Sequence, residues 1–146
     1  MIKKVVAYIT RLRKGRPELL VFTHRDSPDA GVQVPAGTVK PGESIEAALV
    51  SEVSEETGLE GLVVVGRLGV YDYAAPGGPT VERHVYHVQV PKAVQGWWEW
   101  LETGGGEMPD EEGYVFQFYW LDLADDVELA GNQGDYLGVL RAGMGM

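Results

Sequence analysis

The sequence has no cysteine among its 146 residues. A disulfide framework and a thiolate zinc site are therefore both excluded. That absence suits a reducing compartment, and a cytoplasmic location is the expectation. Basic residues are scarce as well: 12 Lys and Arg stand against 22 Asp and Glu, for a formal net charge of −10. Bulk nucleic acid is a poor partner for such a chain, because its binding relies on Lys and Arg neutralising phosphates. A small phosphate ester stays open, since a metal ion can bring the positive charge. No apolar run approaches the roughly 20 residues that span a bilayer, so no membrane partner is expected. The opening Met1-Ile2-Lys3-Lys4 leads into a short apolar run without a small-residue cleavage site, which reads as no signal peptide. Repeats, low-complexity tracts and linkers are missing too. With 45% apolar and 23% charged residues, the chain reads as one globular domain over residues 1–146.

What is present alternates between extended and turn-forming stretches. Residues 3–11, rich in β-branched and aromatic types, read as a strand, and Gly15-Arg16-Pro17 as a turn into a second strand over 18–24. Residues 32–35 form a short extended piece, held partly because a residue before proline avoids the helical region. A helix is expected over 44–57, with Ser44 as N-cap, Glu46 in the first turn and Gly58 at the left-handed stop. Ile45, Leu49 and Val53 give it an apolar stripe. An extended segment over 62–73, bent at Gly66 or Gly69, and strands over 80–90 and 114–121 follow. Trp97, Trp98 and Trp100 suggest one packed turn, and Leu137 and Leu140 a short terminal helix. Antiparallel strands around one strong helix define an α+β fold.

Residues 37–59, GTVKPGESIEAALVSEVSEETGL, organise the rest. Glu52, Glu55 and Glu56 stand at i, i+3 and i+4 and so share one helical face. Like charges placed this way repel. A hard divalent cation such as Mg²⁺ or Mn²⁺ would turn that cost into binding, because it takes oxygen ligands. A merely solvated acidic face would not require glycine at both ends.

The spacing of Gly37, Glu43, Glu52, Val53, Glu55, Glu56, Gly58 and Leu59 resembles the Nudix box of the Nudix hydrolases, and Val34-Pro35-Ala36 resembles its lead-in. One position departs: Ser51 stands where the family usually has Arg. The resemblance implies an α/β/α sandwich with a mixed sheet and the box as a loop-helix-loop. It implies Mg²⁺-dependent hydrolysis of a pyrophosphate bridge in a nucleoside diphosphate linked to another group. Glu52, Glu55, Glu56 and the Ala36 carbonyl would be metal ligands, and Glu43 a support for the loop. A homodimer is common in the family and is left open for this chain.

Other residues carry narrower expectations. A water nucleophile benefits from a carboxylate not committed to metal, and the acidic loop with Glu107, Asp110, Glu111 and Glu112 is a source of one. Glu112 is the favoured base, with Glu111 behind it and the box acids Glu55 and Glu52 as the alternatives. Arg83 is the candidate phosphate contact. His84 and His87 read as structural, and the tryptophans as packing or a dimer contact rather than a platform for a nucleobase. Serine cannot replace a fork of charged donors, so Arg25 or Arg67 would have to reach the acids instead. A Nudix-fold module that binds a nucleotide without hydrolysing it is the second reading.

Overall fold

The computed structural model describes residues 1–90, 96–102 and 114–146. Strands β1 (Ile2–Arg13) and β2 (Arg16–His24) form the expected hairpin. Lys14 and Gly15 turn it with φ of 52° and 75°. Both values are left-handed, as a two-residue turn matched to strand twist requires. A short β3 (Ala36–Thr38) follows, then helix α1 (Ile45–Thr57), β4 (Val63–Ala74) and β5 (Thr80–Gln89). Strands β6 (Trp97–Glu102) and β7 (Tyr114–Asp122) and helix α2 (Leu137–Gly143) complete the described strands and α-helices. None of the described helices is long and apolar enough to cross a membrane.

The strands form one sheet in the order β4-β5-β1-β2-β7-β6, with β3 beside β1. β1 and β5 run parallel while the other pairs are antiparallel, so the sheet is mixed. β1 changes partner along one side: its Thr10–Arg13 end pairs with β2, and Lys4, Val5 and Val6 pair with β3. The alternation of β1 serves two cores. Val5, Ala7 and Ile9 pack with Leu49 and Val53 of α1. Val6 and Tyr8 pack with Leu137 and Leu140 of α2 on the opposite face. Helices on both faces of a mixed sheet make the α/β/α sandwich.

Local sequence explains how α1 is held. Ser44 Oγ accepts the Ala47 N–H at 3.1 Å, and Gly58 closes the helix at φ 74°. Leu49 and Val53 are buried as the stripe anticipates, while Ile45 packs at the margin of the core. β4 bends at both candidate glycines, with register shifts against β5 between Val64 and Gly66 and between Arg67 and Gly69. The tryptophan stretch is a correction. It forms strand β6, paired antiparallel with β7, rather than a turn. Alternation decides it: Trp98 stacks on Phe118 in the core with centroids 5.1 Å apart, whereas Trp97 points out.

Candidate active site

The box acids emerge where α1 meets β3. Glu52 is 9% exposed and lies directly against Gly37, where an added Cβ would sit 2.2 Å from Glu52 Oε2. Gly37 is therefore required by close approach: the missing side chain is the space the carboxylate occupies. Glu56 accepts the Ala36 N–H at 3.1 Å on Oε2.

The β1–β3 ladder shows why Ala36 is available. Ala7 N–H donates to Pro35 O and Val39 N–H to Lys3 O, each at 2.9 Å. Antiparallel ladders alternate between bonded and non-bonded pairs. Ala36, opposite Val6, therefore turns its N–H and C=O away from β1. Its N–H goes to Glu56, and its carbonyl is directed off the ladder on the same side.

Glu55 takes another direction. It is exposed, and its Oε1 accepts the Ser51 hydroxyl at 3.2 Å. Ser51 thus orients one box acid with a single neutral donor, in the position where arginine would offer a charged fork. Arg25 is engaged elsewhere, with Asp26 at 3.4 Å and Glu99 at 3.9 Å. Arg67 is exposed on β4.

A cavity of about 480 Å³ opens beside these acids, lined among others by Glu52, Glu56, Ala36, Lys4, Arg83 and Tyr73. Arg83 is fixed on several sides. Its Nη1 donates to Gly131 O at 2.6 Å and to the Tyr71 hydroxyl at 3.0 Å, and its guanidinium lies 3.8 Å from the centre of the Tyr73 ring. Lys4 Nζ donates to Thr38 Oγ1 at 2.6 Å. The cavity therefore joins carboxylates on α1 to two cations on the sheet.

Of the residues expected at the site, the structure brings together Glu52, Glu56, Ala36 and Arg83. Glu55 lies outside the cavity lining, and Glu107, Asp110, Glu111 and Glu112 lie outside the described residues. Lys4 was not anticipated. Its signal was available: it shares the parity of the buried Val6 and Tyr8, so it is a lysine on an inward face. His84 and His87 are buried in β5 away from the cavity. His84 Nε2 contacts Glu82 Oε1 and His87 Nε2 contacts Thr10 Oγ1, each at 2.7 Å. Burial pushes the His87 imidazole below its ordinary pKa.

The donor set can be tested against a cation. Two carboxylates and an unladdered carbonyl are hard oxygen ligands, which fit Mg²⁺ or Mn²⁺ and no soft metal. Among the described residues no group of three His, Asp or Glu side chains converges tightly enough to hold an ion by itself. With Glu55 turned to Ser51, Glu52 and Glu56 supply the carboxylates at the cavity.

Fold and site together make a sandwich whose glycine-framed acidic helix borders a cavity that two cations of the sheet also line. The family model described as NUDIX domain matches residues 2–137. The chain therefore belongs to the Nudix family of pyrophosphohydrolases. Among curated proteins, none matches the sequence. Similar solved structures include a C. elegans Ap4A hydrolase (22% identity, TM-score 0.65, covering 99% of this chain and 98% of that one). The NUDIX domain of Shewanella oneidensis NrtR complexed with ADP ribose is 16% identical, with TM-score 0.70 over 99% of this chain and 88% of that one. The MutT protein from Methanosarcina mazei Go1 is 21% identical, with TM-score 0.64 over 97% and 94%. At such identities the likeness is one of fold.

Proposed function

We propose that the chain, as a single domain over residues 1–146, hydrolyses a pyrophosphate bond in a nucleoside diphosphate linked to another group, or in a related nucleotide. Mg²⁺ is its cofactor, with Mn²⁺ able to replace it. The observation that carries this reading is the meeting of Glu52, Glu56 and Ala36 at a cavity that also holds Arg83. Glu52, Glu55, Glu56 and the Ala36 carbonyl would hold the ion, Glu55 in exchange for its contact with Ser51. Bound there, the ion would neutralise phosphate oxygens and lower the pKa of a water nucleophile.

The chain's own groups do the rest. Arg83 contacts substrate phosphate with the edge of its guanidinium that Gly131 and Tyr71 leave open. A carboxylate accepts the proton of the attacking water. Glu112 is the assignment for that base, with Glu55 and then Glu52 the alternatives. General base catalysis is typically worth about 10²–10⁴-fold, so Glu112→Gln should lower kcat by that order with little change in KM. If Glu111→Gln and Glu112→Gln both keep kcat within about twofold, the base belongs to the box and Glu55→Gln is the variant to follow. The reading as a whole is tested by phosphate release over a panel of nucleotide sugars, dinucleoside polyphosphates and modified nucleoside triphosphates. Turnover that persists in EDTA after metal stripping would overturn the metal assignment. A non-hydrolysing nucleotide-binding module is favoured by one observation, the neutral Ser51 beside Glu55. Tight binding without turnover on the same panel would select it. The lack of cysteine and of bulk positive charge suits a cytoplasmic enzyme acting on small nucleotides.

A further inference from the structure

We propose that Gln133 is a positioning residue for the site, the centre of a strut over residues 130–133 that fixes the Ala36 strand and Arg83 relative to one another. What it positions rests on the reading of the cavity as a metal-dependent nucleotide site. Gln33 exchanges both of its backbone hydrogen bonds with Phe22 of β2, at 2.8 and 2.9 Å. Val34 and Ala36 turn their N–H groups elsewhere, as alternation along an extended chain requires. Ala36 donates to Glu56, and Val34 donates at 2.9 Å to Gln133 Oε1, 99 residues away in the chain. Ala130 N–H donates to Val32 O at 2.8 Å. The Gln133 side chain thus stands where a neighbouring strand would offer a carbonyl. Val34 is fully buried and Gln133 is 7% exposed, so bulk water cannot replace this acceptor. Gln133 is itself anchored through its own carbonyl, which accepts the buried Tyr8 hydroxyl.

The turn before Gln133 reaches a second part of the site. Gly131 and Asn132 are both left-handed, with φ of 60° and 58°. That conformation is open to glycine and costs other residues, asparagine among the least. In this turn both carbonyls are directed at β4 and β5. Gly131 O accepts Arg83 Nη1 at 2.6 Å. Asn132 O accepts the Tyr71 hydroxyl at 3.2 Å, and that hydroxyl accepts Arg83 Nη1 at 3.0 Å. One short segment therefore holds both the strand that presents the Ala36 carbonyl and a guanidinium that lines the same cavity. Loss of the Gln133 acceptor would loosen the two together.

The test pairs backbone amide exchange, read by NMR, with Mn²⁺ binding, read from the EPR signal of the free ion without nucleotide. Gln133→Met keeps the length of the side chain and removes the acceptor. It should accelerate exchange at Ala36 by about tenfold or more relative to the protected amides of β7, the mark of a local rather than a global opening. Mn²⁺ binding should weaken by about 10- to 100-fold, the usual effect of losing a group that orients a metal ligand. The Arg83 Nε–H resonance, assigned by its loss in Arg83→Lys, should shift as well. Gln133→Glu restores an acceptor and should return exchange and Mn²⁺ binding to within about threefold of the unmodified protein. Should Gln133→Met not fold, Gln133→Asn, one methylene shorter, is held to the same thresholds. Ala36 exchange within about twofold of the unmodified protein, acceleration equal to that of β7, unchanged Mn²⁺ affinity, or an unmoved Arg83 signal would each overturn the strut. An unmodified protein that binds no Mn²⁺ would instead sink the metal reading, and the exchange rates would still decide whether Gln133 positions Ala36.

Discussion

Gly37 shows how a residue with no side chain can be decisive. Its φ is unremarkable, so what it provides is room for Glu52. A methyl group at this position would meet the far end of a flexible side chain, 2.2 Å from Oε2. The fold can absorb that by swinging the carboxylate aside, but the site cannot. Gly37→Ala should therefore keep a near-normal unfolding midpoint while losing activity by about 10²-fold, the scale of a 1 Å misplacement. Steady-state kinetics beside thermal unfolding check both halves. The same geometry explains why the acidic triplet was only partly legible. At about 100° per residue, Glu56 lies about 40° round the helix from Glu52, and Glu55 about 60° to the other side. Spacing puts all three on a broad face, but only Glu52 and Glu56 point together at β3. Glu55 is held by Ser51, so Ser51→Arg should change its orientation and lower the Mg²⁺ concentration needed for half-maximal activity. Unchanged metal dependence in a folded Ser51→Arg protein would show that the serine already suffices.

At the scale of elements, α1 depends on β6 more than its own residues reveal. The last carbonyls of a helix have no partner within it. Trp98 Nε1 donates to Thr57 O at 3.0 Å and Trp100 Nε1 to Glu55 O at 2.7 Å, so β6 satisfies two of them. The Trp100 ring also covers Gly58, where a Cβ would come within 2.6 Å of Cζ3. Gly58 is thus fixed twice, by its positive φ and by an indole. Gly58→Ala should destabilise the protein by about 1–3 kcal/mol, and Trp100→Phe by about 1 kcal/mol for the lost hydrogen bond. Urea unfolding measures both. A Trp100→Phe protein of normal stability but impaired substrate binding would instead make this indole a ligand contact. The helix boundaries could be read because Ser44 and Gly58 are local signals. β6 could not, because its identity comes from pairing with β7 rather than from any signal of its own, and a cluster of indoles suits a turn as well as a strand.

The whole molecule is a two-sided sheet, and its stability depends on polar groups sealed between strands. The parallel β1–β5 pairing was not legible, since alternation shows which residues face inward but not which strand lies alongside. That pairing encloses His87, whose Nε2 meets Thr10 Oγ1 at 2.7 Å while 6% of the residue is exposed. Desolvation disfavours the imidazolium, so the folded pKa of His87 lies below the ordinary value of 6.5. His24 is shifted the same way for the same reason. The sign follows from proton counting. Above 6.5 the histidine is neutral folded or unfolded, and its contribution is complete. As pH falls below 6.5, the unfolded chain takes up a proton that the folded chain refuses, and stability declines until the folded pKa is reached. The urea midpoint should therefore fall between pH 7.5 and 5.5, a window chosen above the ordinary carboxylate range. His87→Gln retains a polar partner for Thr10 but has no proton to gain. It should flatten this decline, leaving the smaller slope owed to His24. Equal slopes in the two proteins would mean that His87 takes its proton as readily in the fold as outside it, and that the β1–β5 seam is open to water.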